Sequence, residues 1–296
     1  SSKKNPQEIQ TQFIKKKLSK KVLVFQSSKA FSEYKNKLAK QLENIRGVII
    51  LQDKLTFSVA TYEYAFPIFD VLRTKINKKA KKIQFHLVNK YIKSYQSKNV
   101  IGFVKGKKIP EKHIVFSAHY DHLGALGKDV YFAGANDNAA SIAMLFELAK
   151  HYTQNPPDYT IVFMAFAAEE AGLLGSKFYV ENPLFPLKNI HFLVNLDLIG
   201  TGSEGMTVVN GSVFEQSFQL LESLNKENKY TPNILKRGTA ANSDHYFFYK
   251  NDVPSFFIYL RGGIQAYHDI FDKEATLPLT GFENLYLLLL DFVSQQ

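Results

Sequence analysis

Eight consecutive apolar residues, Ile161 to Ala168, run directly into two adjacent carboxylates, Glu169 and Glu170. An unbroken apolar run of this length predicts a strand buried on both faces, and so a sheet covered on both sides. Two ionised carboxylates at the end of such a strand lose hydration and repel each other. A metal, a proton or basic partners must offset that cost. For an isolated pair, an acidic helix N-terminus would serve equally well, so the remainder of the chain has to decide.

From about Lys90 the chain alternates regularly. Strands are expected at Asn99–Val104, His113–Ala118, Ile161–Ala168, Ile190–Leu196, Met206–Val209 and Ser255–Leu260. Amphipathic helices are expected at Ala139–Tyr152, after Gly172, at Phe214–Leu224 and at Phe282–Phe292. Such alternation predicts an α/β fold, a mostly parallel twisted sheet with helices on both faces. Ahead of it, residues 1–19 form a polar, Lys-rich lead-in, and residues 20–88 a small α/β module. In that module we expect strands at Val22–Phe25 and Gly47–Leu51, and a helix at Ala30–Asn44. A short helix is expected to begin at Phe66–Leu72, and Ile83–Val88 alternates like a strand. Residues 89–296 make the larger domain.

In open parallel sheets, ligands bind beyond the carboxyl ends of the strands. The segments found there are His119-Tyr-Asp121-His122, Glu169-Glu170, Asp197 and the loop to Tyr267-His268-Asp269, with Gly134-Ala-Asn-Asp137-Asn leading into a helix. Imidazoles and carboxylates without thiolates suit zinc or a similar divalent ion in an open site. His119, Asp137, Glu170, Asp197 and His268 are too many for one tetrahedral centre. With one bridging carboxylate they suffice for two ions, the arrangement used for hydrolysis, and Glu169 would then be free to move a proton. Asp121 is expected to stand behind His119 and orient it. His122 reads equally well as a loop residue. His86, His113, His151 and His191 fall within expected elements and read as structural.

Composition narrows the function classes. There are no cysteines, which removes disulfides and thiolate sites without fixing a compartment. Residues 1–112 carry 26 Lys+Arg against 7 Asp+Glu, a net of +19, whereas the rest carries 11 against 20, a net of −9. Only four residues are Arg, and no helix-turn-helix, finger or aromatic-basic motif accompanies the lysines, so no nucleic-acid partner is expected. No run of 18 apolar residues is present, so no membrane span is expected. The chain opens Ser1-Ser2 with no charged-then-apolar leader. A secreted, periplasmic or surface-associated protein that has lost its leader is expected.

The motifs Ser117-Ala-His119-Tyr-Asp121-His-Leu-Gly, Gly134-Ala-Asn-Asp137-Asn-Ala-Ala, Ala168-Glu169-Glu170-Ala-Gly-Leu-Leu-Gly-Ser, Asn195-Leu-Asp197 and Tyr267-His268 resemble, in order, the signature of the aminopeptidase Y family of di-zinc exopeptidases. The resemblance spans about residues 90–296. It implies a three-layer zinc-peptidase sandwich and a metallo-aminopeptidase acting on peptides with a free N-terminus. It further implies that His119 and Asp197 hold one zinc ion, Glu170 and His268 the other, that Asp137 bridges and that Glu169 is the general base. A cis peptide at Asp137–Asn138 and a reduced protease-associated module over residues 20–88 are also implied.

Three other readings use the same chain. A carboxypeptidase would need a cation for the terminal carboxylate, for which Arg261 stands seven residues before His268. A glutaminyl cyclase-like transferase would need one ion, and a non-catalytic domain would have lost ligands. Val208, Phe248, Phe257 and Tyr259 are candidate pocket linings that core packing would explain equally well.

Overall fold

A computed structural model describes residues 21–35, 45–77 and 79–296. The expected lead-in and residues 36–44 of the expected first helix lie outside the described residues. The chain forms two compact units, one within residues 1–56 and 60–93, the other comprising residues 57–59 and 94–296.

In the first unit, β1 (Val22–Phe25), α1 (Ser28–Lys35), β2 (Gly47–Gln52) and β3 (Ile68–Leu72) make a three-stranded parallel sheet in the order β1-β2-β3. Phe25, Phe31, Val48, Ile50 and Phe66 form its core. Two expectations fail here. The segment beginning at Phe66 is the strand β3, not a helix. Pro67 disfavours helical backbone at the residue before it, and Ile68, Phe69 and Val71 suit a pleated edge strand alongside β2. Residues 83–88 alternate but form no strand. Ile83 is 50% and Leu87 49% exposed, so no core face selects the pleat.

In the second unit a seven-stranded sheet has the order β11-β10-β12-β9-β5-β8-β4. Its strands are β4 (Val100–Val104), β5 (Ile109–His119), β8 (Tyr159–Phe166), β9 (Ile190–Leu196), β10 (Met206–Val209), β11 (Ile234–Lys236) and β12 (Ser255–Leu260). The four central strands, β8, β5, β9 and β12, are parallel; β4 and β10 run antiparallel to their neighbours β8 and β12. A hairpin, β6 (Gly124–Leu126) and β7 (Val130–Phe132), follows β5. That hairpin and β11 were not anticipated, because three-residue strands carry too little pattern to stand out.

Strand alternation divides the core into two layers. Ile114, Phe116, Ile161, Phe163, Phe192 and Val194 face α2 (Ala140–Gln154), α4 (Glu215–Asn228) and α6 (Phe282–Ser294). Val115, Val162, Met164, Phe166 and Leu193 face α3 (Leu174–Glu181) and α5 (His245–Tyr249). The uninterrupted apolar run in β8 therefore serves both layers, which makes the second unit a three-layer α/β sandwich. Helices α2 and α6 use Met144, Leu148, Leu288, Leu289 and Phe292, spaced to share one face, all fully or almost fully buried.

Phe116 and Leu288 are fully buried, whereas Phe146 is 70% exposed. Phe116→Ala should lower unfolding stability by about 3–5 kcal/mol and Leu288→Ala by about 2–5 kcal/mol. Phe146→Ala should stay within about 0.5 kcal/mol. Denaturant unfolding of the three variants checks the layering; equal losses at Phe116 and Phe146 would contradict it.

Candidate metal centre

Each parallel strand leaves the core at the same edge, and each delivers chemistry there. Strand β5 ends in His119 itself, β8 is followed by Glu169 and Glu170, and β9 by Asp197. The loop after β12 carries His268, and the turn before α2 carries Asp137. The peptide Asp137–Asn138 is cis.

Asp137 lies between two imidazoles. Its Oδ1 is 3.3 Å from His119 Nε2, and its Oδ2 is 3.3 Å from His268 Nε2. Each imidazole faces a second carboxylate: Asp197 Oδ1 lies 3.5 Å from His119 Nε2, and Glu170 Oε2 lies 3.2 Å from His268 Nε2. Ligand atoms of His119, Glu169 and Asp197 converge within 4.8 Å of one another, as do those of His122, Asp137 and Glu170. The five expected ligands and Glu169 thus occupy one site.

The surrounding hydrogen bonds aim these groups. Asp121 was expected to orient His119 through its carboxylate. His119 Nδ1 is 3.0 Å from the Asp121 main-chain oxygen, with the Asp121 carboxylate farther off at 3.8 Å. The Asp121 carboxylate accepts the backbone N–H groups of Glu169 and Glu170 at 3.1 and 3.2 Å, fixing the turn that presents both glutamates. Asp272 acts similarly at the bridging residue, accepting the N–H groups of Asn136 and Asp137 at 2.7 and 3.0 Å. His122 lies in the loop after β5 and is part of the same cluster, partly buried, with Nδ1 2.8 Å from Glu170 Oε1. A buried thread runs from Ser117 through Asn195 to Ser243, whose hydroxyl donates to Asp197 Oδ2 at 2.9 Å. It satisfies one oxygen of Asp197 and leaves the other turned to the site. The Phe57 N–H donates to the His268 carbonyl at 2.8 Å, and the Phe57 ring stacks on Phe132 with centroids 5.2 Å apart.

Glycine matters at the junction of β8 and α3. A Cβ on Gly175 would come within 2.1 Å of the Ala167 carbonyl oxygen, so only glycine lets α3 start this close to the end of β8. Asn99 secures the same junction, accepting from the Ala167 N–H at 3.1 Å and donating to the Gly175 carbonyl at 2.9 Å.

The electrostatics follow from burial and crowding. Burial pushes the Glu169 carboxyl up to about 9, against the opposing pull of His119. Burial likewise raises Asp197, with His119 again opposing. Burial alone would lower His119, but Asp197 and Asp137 outweigh it and hold the imidazole well above its ordinary value. His268 is pushed up to about 10, because Asp137 and Glu170 outweigh the burial that would lower it. Asp137 is held low despite burial by His119 and His268.

Whether this set fits metal ions can be judged from the orphaned atoms. His119 Nε2 and Asp197 Oδ1 are buried without a hydrogen-bond partner, yet face each other. An unpartnered buried polar atom costs about 1–3 kcal/mol, and a cation between these atoms would satisfy both. The bridging carboxylate, the two histidine–carboxylate pairs and the absence of thiolates fit two divalent ions.

A cavity of about 420 Å³ opens onto the site, lined by Asp137, Glu169, Glu170, Asp197 and His268. Phe257, Tyr259, Asn242 and Arg237 line it too. Of the four candidate wall residues, Phe257 and Tyr259 reach the cavity, while Val208 and Phe248 are fully buried core. Arg261 does not line it; its Nη2 donates to the Glu204 carbonyl and the Asn233 side chain. Arg261 is therefore not the cation that the carboxypeptidase reading called for.

Comparison with known proteins adds four likenesses. Aminopeptidase YwaD of Bacillus subtilis is 33% identical over 163 residues, 54% of this chain and 34% of that protein. The matches to this relative and to a probable zinc metalloprotease of Pyricularia oryzae cover 34% and 22% of those proteins, so the chain spans about a third or less of the curated relatives' length. The fold resembles BSAP, a zinc aminopeptidase from Bacillus subtilis, with a TM-score of 0.66 at 19% identity over 90% of this chain and 67% of that one. It also resembles a Bacteroides thetaiotaomicron glutaminyl cyclase, with a TM-score of 0.56 at 20% identity over 67% of this chain and 77% of that one. The model of peptidase family M28 matches residues 99–293, two thirds of the sequence and all of the edge that carries the site, and the chain belongs to that family.

Proposed function

We propose that this protein is a zinc-dependent aminopeptidase that hydrolyses the first peptide bond of substrates with a free N-terminus. The observation that carries the reading is the position of Asp137, whose two oxygens each face a different imidazole at 3.3 Å. His119 and Asp197 would hold one zinc ion, Glu170 and His268 the second, and Asp137 would bridge them. Residues 89–296 form the peptidase domain in this reading, and residues 20–88 a protease-associated-like module. A secreted, periplasmic or surface-associated location goes with it. None of the described helices is long and apolar enough to cross a membrane.

What zinc supplies when bound is Lewis acidity toward the scissile carbonyl and the attacking water. The chain's own residues do the rest. Glu169 carries no fixed hydrogen-bond partner on its carboxylate among the described residues and lines the cavity, so it can take a proton from water and return it to the leaving amine. Nearby cations favour its ionised form and so counter the burial that pushes it up to about 9. Asp121 holds the turn that presents Glu169 by accepting its backbone N–H. The glutaminyl cyclase alternative calls for one ion, whereas Asp137 stands between two imidazole–carboxylate pairs.

Aminoacyl, N-blocked and N-terminal glutaminyl peptides, assayed with and without chelator, test the reading. Chelator-sensitive cleavage confined to free-amino peptides is expected; activity only on blocked peptides, or only cyclisation, would sink it. Glu169→Gln should bind metal normally and lose about 10²–10⁴-fold in kcat; full activity in that variant would remove the base role. Metal analysis should find two ions per chain, falling toward one in Asp137→Asn. Because His119 and His268 hold protons tightly without metal, zinc must displace them. Calorimetric titration should therefore show proton release and an affinity that rises from pH 5.5 to 7.5. A pH-independent affinity would contradict the ligand assignment.

A further inference from the structure

We infer that Arg237 makes this site select substrates that carry a carboxylate near the scissile bond. The inference rests on the aminopeptidase reading and adds a substrate class to it. Arg237 follows β11 and lines the same cavity as Glu169 and the expected metal ligands. Its backbone is fixed: the N–H donates to the Val208 carbonyl at 2.9 Å, and its carbonyl accepts from the Ser212 N–H at 3.2 Å. Its guanidinium is aimed by the wall, with Nη1 donating to the Tyr259 hydroxyl at 3.0 Å. Tyr259 and Phe257, two apart on β12 and so on one face, both line the cavity.

The phenol is a neutral partner. Among the described residues no carboxylate lies within ion-pair distance of Arg237, whereas its neighbour Lys236 is paired with Glu215 at 2.8 Å. A guanidinium offers five N–H donors in a planar fork that matches a carboxylate. One donor is used on Tyr259, and the others remain for a ligand. Arg237 is exposed, so water serves these donors in the free site; a carboxylate in the cavity would replace it with a charged pair, whereas a basic side chain would add like-charge repulsion. The carboxylates that line the cavity would repel an acidic ligand, but bound divalent ions neutralise them. Arg261, the cation the sequence suggested for this purpose, is used elsewhere.

The carboxylate could come from the side chain of an N-terminal Asp or Glu or from the C-terminus of a dipeptide. Steady-state assays of the zinc-loaded protein separate these sources. One arm compares glutamyl with isosteric glutaminyl chromogenic amides, the other Leu-Gly with Leu-Gly-amide. In Arg237→Ala the preference for the carboxylate-bearing member, as a ratio of kcat/KM, should fall about 10–100-fold in one arm. The arm that falls identifies the source. Arg237→Lys should retain part of the preference, and Arg237→Glu should favour lysyl over glutamyl amides. A change below about threefold in both arms, with the variants folded by circular dichroism, would overturn the inference and leave the aminopeptidase reading standing. A wild-type protein that cleaves no free-amino substrate would overturn both.

Discussion

A concentration of buried carboxylates at one sheet edge is the constraint on which the rest of the structure depends. Asp137 and Asp197 are almost fully buried, Asp272 wholly so, and Glu169 and Glu170 are half-buried beside them. Ionised carboxylates in such a place are costly unless each is paired or hydrogen-bonded. The fold meets that cost in two ways. Imidazoles of His119, His122 and His268 stand against the inward-facing oxygens. Backbone N–H groups are gathered on the supporting aspartates, two consecutive residues on Asp121 and two on Asp272. Oxygens left over point to a common centre, where two cations fit.

The sheet makes this arrangement possible because its faces change character toward the carboxyl ends. On β5 and β9, Val115 and Leu193 belong to the apolar layer, while Ser117 and Asn195 on the same face begin the polar thread toward Asp197. A rigid, close-packed core thus ends within one or two residues of the chemistry. Side chains at strand ends inherit that rigidity, which is what positioning two ions and a base requires. Part of the cavity wall, Phe257 and Tyr259 of β12 and Arg237 after β11, comes from segments that carry none of the expected ligands, whereas Leu173, Leu198 and Tyr267 adjoin them.

Much of this was legible in the residues. The apolar run before Glu169, the strand–helix alternation and the His and carboxylate endings require only local pattern, and the central strands and helices stand within a few residues of their expected bounds. What pattern could not reach was pairing. Ile68–Leu72 became a strand because β2 lay beside it, and residues 83–88 did not, lacking a face to bury. Asp121 and His122 sat in a recognisable motif. Which atoms they bond depends on a glutamate turn 48 residues away, and nothing local encodes that.

The sequence by itself determined the chemistry available: which side chains end which strands, and that thiolates are absent. These follow from periodicity and composition, both readable one segment at a time. Only the tertiary structure decided how the groups are shared out. It turned the two oxygens of Asp137 toward different imidazoles, bound Arg261 into a loop and brought Arg237 to the cavity. Two arginines equivalent as residues acquire different roles because folding decides which of them reaches the cavity.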